Sequence, residues 1–197
     1  MKKALKPEIR EPDLSLSEKE KIILLEIARS SIEGYLMNME KSDINPELLS
    51  ENLNRKVGAF VTLTLKGNLR GCIGRFSSQL PLYKIVQEMA IASATNDNRF
   101  KKVSKTEMNR IGIEISVLSP LKRIQSVDEI VMGKHGIYIR KGGSSGTFLP
   151  QVALNTGWSR EEFLGHCAMD KVRIGWDGWK NSEIFIYEAY VFGEGKN

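Results

Sequence analysis

Leu69-Arg70-Gly71-Cys72-Ile73-Gly74 is the stretch on which the reading of this chain turns. It gathers a cation, a thiol and two glycines into six residues. It also follows a strand pattern directly: Gly58 to Leu65 is rich in Val, Thr and Phe, residues that fit a pleated surface. Between the two, Lys66-Gly67-Asn68 offers a hairpin loop, since Gly and Asn tolerate positive φ. The hexapeptide is therefore read as the return strand. Side chains alternate along a strand, so Arg70 and Cys72 are expected on one face and Leu69, Gly71 and Ile73 on the other.

Upstream, Ser17-Glu18-Lys19-Glu20 is a capping box with Leu16 placed as a hydrophobic staple. Ile22, Leu25, Ala28, Ile32, Tyr35 and Met39 then recur at helical spacing, which predicts a long amphipathic helix with that stripe inward. Residues 1–16 are charged and contain Pro7 and Pro12, so they read as a flexible arm ahead of a domain over 17–195. Lys41 to Lys56 is a connector with a short helical turn at Glu47 to Leu53.

Downstream, Pro81 suits the first turn of a helix running to Thr95, with Leu82, Val86, Met89 and Ala90 buried. Thr95 to Phe100 is a polar exit loop. Ile111 to Leu118 is the clearest strand: Ile111, Ile113, Ile115 and Val117 share one face, Glu114 and Ser116 the other. Gly136 to Arg140 is another strand, Gly142 to Gly146 a turn, and Thr147 to Val152 its return. Ser126 and Ser159 head two further capping boxes, and Glu183 to Phe192 closes the chain as a strand. Helices and strands mix without regular βα alternation, which favours an α+β fold with a mixed or antiparallel sheet.

A chain of 197 residues suffices for a real core without disulfides or metal. The two cysteines, Cys72 and Cys167, lie in different patterns, so a disulfide framework is not expected and a reducing, cytoplasmic compartment is. Met1-Lys2-Lys3 opens a polar segment without the apolar run of a secretory signal. No apolar run approaches the ~20 residues that span a bilayer. The net charge of +5 is spread among acids, not gathered into the stripe of a nucleic-acid binder.

Cys72 is the first candidate for chemistry. A thiol reacts as thiolate, and a cation on the same face, Arg70, would lower its pKa. Gly71 and Gly74 leave room for close approach. The alternative is a small cysteine packed in a sheet, with Arg70 paired to an acid. His135 falls in a turn, and His166 adjoins Cys167 at a spacing unlike that of metal ligands. No zinc, calcium, phosphate-loop or nucleophile-elbow motif is present, so neither metal nor cofactor is expected.

Taken together these residues resemble the AMMECR domain family. The resemblance runs through Gly58 to Leu63, Leu69 to Gly74, Pro81-Leu82-Tyr83, Asp97 to Phe100, Ile113 to Pro120, Gly136-Ile137, Gly146 to Val152 and Trp158 to Leu164. The Leu-Arg-Gly-Cys-Ile-Gly run is the family hallmark. The resemblance implies an α+β fold of two lobes with a cleft between them and the hexapeptide beside it. It implies site positions at Arg70, Gly71, Cys72, Gly74, Asp97, Arg99, Phe100, Glu114, Pro150 and Gln151. It implies an association with Memo-like and radical-SAM proteins but no particular reaction. Asn98 stands where the family often has Pro, and Met169 to Val172 departs from the common ending of the last helix.

Two readings follow. In one, a cleft lined by Arg70, Cys72 and Glu114 takes a small ligand or substrate. Cys72 is then nucleophile or thiol ligand, Arg70 activator or anion anchor, and Glu114 the acid/base group. In the other, the chain is a non-catalytic protein- or nucleic-acid-binding module with Arg70 and Arg99 as contacts.

Overall fold

The computed structural model describes residues 14–39 and 44–194. Helix α1 (Glu18–Leu36) starts at the expected box: the Ser17 hydroxyl accepts from the Glu20 N–H, and Glu20 accepts from the Ser17 N–H at 2.7 Å. Its buried row is Leu24, Ile27, Ala28 and Ile32, while Ile22, Tyr35 and Met39 are exposed. The expected stripe is thus rotated. Ile22-Ile23-Leu24-Leu25 is apolar all round, so packing against the helix below, not periodicity, selects the row. Most of the expected arm lies outside the described residues, but Leu14 and Leu16 pack on the first core. The connector holds a 3-10 turn (Pro46–Leu48) and α2 (Glu51–Asn54).

Strands β1 (Gly58–Leu65) and β2 (Asn68–Arg75) form the expected hairpin, turning at Lys66 and Gly67, both at positive φ. Helix α3 (Leu82–Thr95) buries Leu82, Val86, Met89 and Ala90, with Pro81 as its N-cap. Then follow β3 (Ile111–Leu118), β4 (Lys122–Arg123), β5 (His135–Lys141) and β6 (Ser144–Phe148). The return strand stops at Phe148, short of the expected Val152. Pro150 opens α4 (Pro150–Thr156), where its missing N–H costs nothing. Helix α5 (Arg160–His166) runs into a π-helical turn (Cys167–Val172). Strand β7 (Glu183–Gly193) ends the described chain.

All strand pairs are antiparallel, in the order β2-β1-β3-β7-β5-β6 with β4 on β7. Two cores result. One lies between α1, α3 and the β1–β3 face carrying Val61, Leu63, Ile113 and Ile115. The other packs α4, α5 and the π turn on β5–β7. The long β7 joins them, pairing Glu183–Glu188 with β5 and Ala189–Gly193 with β3. Beneath the hairpin, Ser93 is 2% exposed, accepts from the Ile73 N–H at 2.8 Å and donates to the Val61 carbonyl at 2.7 Å. One hydroxyl thereby ties α3 to two strands.

Candidate functional site

A β-bulge builds the site. Leu65 and Thr64 pair with Asn68 and Leu69, but Leu63 pairs with Gly71 and Thr62 with Cys72, so Arg70 is the extra residue. The slip moves every later side chain of β2 to the opposite face. Gly71 turns toward α3, where a Cβ would lie 2.2 Å from the Ser93 carbonyl oxygen. Cys72 turns to the other face. In a hairpin without the bulge, Cys72 would oppose Val61 and point into the first core. Arg70 and Leu69 therefore depart from the expected alternation.

Thr62 also pairs with Glu114 on β3, so Cys72, Thr62 and Glu114 stand side by side in one row across three strands. Directly opposite residues on neighbouring strands share a face. The Thr62 hydroxyl donates to the Cys72 sulfur at 3.3 Å. On the adjacent row stand Gly74, Phe60 and Ser116, the last fully buried. From α4, Gln151 reaches over with Nε2 at 3.5 Å from Glu114 Oε1 and 3.4 Å from Ser116 Oγ. Pro150 is buried and sets the start of that helix. Phe76 closes the floor, touching the rings of Phe60, Tyr138 and Tyr187.

The exit loop of α3 holds the open edge of β2. Asp97 is 6% exposed; its Oδ2 accepts from the Cys72 N–H at 2.8 Å and from Arg99 Nη2 at 2.6 Å, and its Oδ1 accepts from Arg99 Nε at 2.9 Å. Arg99 also donates to the Cys72 carbonyl at 3.4 Å and lies over the Phe100 ring. Arg99, first among the causes, holds the Asp97 carboxyl down at about 2, with the two backbone N–H groups helping.

Arg70 is engaged elsewhere. Its guanidinium pairs with Glu107 at 3.0 Å and donates to the carbonyls of Lys101 and Lys102. The Glu107 carboxyl is held at about 2, chiefly by that pair. The cation acting on Cys72 is Arg99, not the expected Arg70. Burial nevertheless dominates and pushes the Cys72 thiol above its ordinary value; Thr62 and Arg99 oppose the shift, Asp97 and Glu114 add to it. Burial also raises the Glu114 carboxyl, against the Gln151 hydrogen bond. Both titratable groups of the row are thus driven toward their uncharged, proton-bearing forms. Cys167 is buried in the second core and pushed up to about 12.

The structure brings Cys72, Gly74, Glu114 and Gln151 together on one face, with Asp97, Arg99 and Phe100 along its edge, and leaves Arg70 and Gly71 on the other side of the strand. Sequence reasoning missed Thr62, the middle of the row, and Glu107. Thr62 had a signal, since it alternates with Val61 and Leu63, but its partners depend on the bulge. His166 stacks on Trp158 and meets Trp176 edge-to-face, outside this site. Among the described residues, no three His, Cys, Asp or Glu side chains converge to hold a metal ion, and no helix is long and apolar enough to cross a membrane.

The AMMECR1 family model matches residues 25–192, and the chain belongs to that family. It is 39% identical over 192 residues to Protein MK0488 of Methanopyrus kandleri, covering 92% of this chain and 90% of that one. It is 34% identical to Protein NEQ441 of Nanoarchaeum equitans, covering 87% and 98%. Its fold matches the crystal structure of the uncharacterized protein PH0010 from Pyrococcus horikoshii with a TM-score of 0.83 and 33% identity, over 91% of this chain and 94% of that one.

Proposed function

We propose that the chain binds a small polar ligand or substrate against the Cys72–Thr62–Glu114 row. The observation carrying this reading is the row itself: a thiol, a hydroxyl and a carboxyl on three adjacent strands, with burial raising both titratable groups. Burial makes the Glu114 carboxyl keep its proton to higher pH than an ordinary glutamate, which suits it to donate as well as accept a proton. Cys72 is the nucleophile or thiol contact, protonated at rest, so its use awaits a ligand that draws the proton away. Arg99, solvent-facing beside the Cys72 carbonyl, is placed to anchor an anionic part of the ligand. Gln151 positions Glu114.

A nucleic-acid surface is less favoured, because Arg70 is committed to Glu107 and Arg99 alone does not make the basic stripe such a surface needs. Exchange of the ligand with Memo-like or radical-SAM proteins belongs to the same proposal and rests on the family resemblance alone. The test is a screen of small polar metabolites by thermal shift and NMR, against the parent chain and its Cys72→Ala and Glu114→Gln forms. A compound that binds the parent and loses tenfold or more affinity in both variants supports the reading. Binders that neither variant affects count against it.

A further inference from the structure

A second hollow lies away from this row. It is a groove of about 490 Å³ on the far side of α1, within the size range of binding pockets, roughly 300–1,000 Å³. One wall is α1 from Ile23 to Tyr35, about 18 Å at 1.5 Å per residue, or three turns of helix. The other is formed by Ile91 of α3 with Ile44 and Leu49 of the connector. Met37 and Met39, 55% and 65% exposed, stand at one end. Methionine is unbranched and polarizable, so it adapts to irregular apolar partners.

The α1 wall is smooth. Ser30 turns its hydroxyl back onto the Glu26 carbonyl at 2.7 Å, and Ser31 does the same to Ile27. Neither leaves an unsatisfied group facing the groove. A Cβ on Gly34 would meet nothing within 4 Å. Small residues in one row let a second backbone approach closely. The charges among the described lining residues are the carboxylates of Glu26 and Glu33, two turns apart on α1; Arg29, between them on the helix, does not line the groove and gives its guanidinium to Glu194.

We infer that this groove is a docking site for an amphipathic helix of a partner protein that carries lysine or arginine flanking its apolar face. Length, apolar lining and a small-residue row fit a helix of three turns with anchors at i, i+3, i+4 and i+7. The two carboxylates fix the sign of its flanks. The chain as a whole carries +5 and repels cations, so attraction of a basic helix has to be local to the groove.

The probe is a peptide of about 18 residues with leucines at those positions and lysines on the flanks, compared with its glutamate counterpart. Binding to the full chain is followed by anisotropy and by the methyl NMR signals of Met37 and Met39. The lysine peptide is expected to bind at least tenfold more tightly than the glutamate peptide and to shift those two methyl signals. Gly34→Leu, which fills the groove at a helical position, abolishes binding, and Glu26→Lys with Glu33→Lys reverses the preference. Equal binding of both peptides, no binding, or shifts confined to other methionines overturns the inference. So does reversible dimerisation through this face that Gly34→Leu removes, since a second copy would then be the occupant.

Discussion

Replacing Asp97 with Asn tests how the open edge of β2 is held. An ordinary aspartate titrates near 3.8, whereas Asp97 is held at about 2 by Arg99 and by the N–H groups of Cys72 and Arg99. That gap of nearly two pH units, at about 1.4 kcal/mol each, sets a ceiling of roughly 2.5 kcal/mol. Arg99 is 42% exposed, so water screens the ion-pair share and about 1–2 kcal/mol is expected. The folded carboxyl lies below its unfolded value, so its stabilisation is present above pH 3.8 and lost as pH falls through about 2. Asn keeps an acceptor for the Cys72 N–H but has no charge. Denaturant unfolding of both forms at pH 7, 4 and 3 reads the effect. The parent should be more stable by about 1–2 kcal/mol at pH 7, with about half of the difference gone by pH 3. A difference that stays constant across this range, or never exceeds about 0.5 kcal/mol, would show that the Asp97 charge does not hold the edge of β2.

Four further substitutions have definite outcomes. Gly71→Ala places a methyl against the backbone of Ser93 and should cost about 3 kcal/mol or more by urea midpoint, while Gly143→Ala, with nothing within 4 Å, stays near neutral. Ser93→Ala removes the tie between α3 and the hairpin and should cost about 1–3 kcal/mol, measured in the same way. Glu114→Gln should raise stability above the ordinary glutamate range and have little effect below it. The folded carboxyl lies above its unfolded value, so ionisation weakens the fold as pH rises; an equal effect at pH 4 and pH 8 would contradict this.

Much of this fold was legible. The limits of β1 and β3, the capping boxes and the buried face of α3 come from local chemistry: alternation, side-chain caps and helical spacing. What was not legible depends on long-range packing. The bulge at Arg70 leaves no mark of its own, because Gly71 is explained only by the nearness of Ser93 on a helix that follows. The rotated row of α1 follows from which side meets α3. Arg70 finds Glu107 across 37 residues of chain, and no spacing rule links them. Glu114 was singled out correctly as a strand carboxylate, but its neighbours Thr62 and Gln151 arrive through strand register and through α4.

Under the proposed function, Cys72, Thr62 and Glu114 act as one unit. Its most direct test is the pH dependence of Cys72 alkylation in the parent, Glu114→Gln and Arg70→Ala forms, with buried Cys167 as internal reference. Cys72 is expected to titrate above the ordinary thiol range, Glu114→Gln to lower its midpoint, and Arg70→Ala to leave it in place. A Cys72 that reacts well below the ordinary thiol range, or one that responds to Arg70→Ala and not to Glu114→Gln, would contradict it.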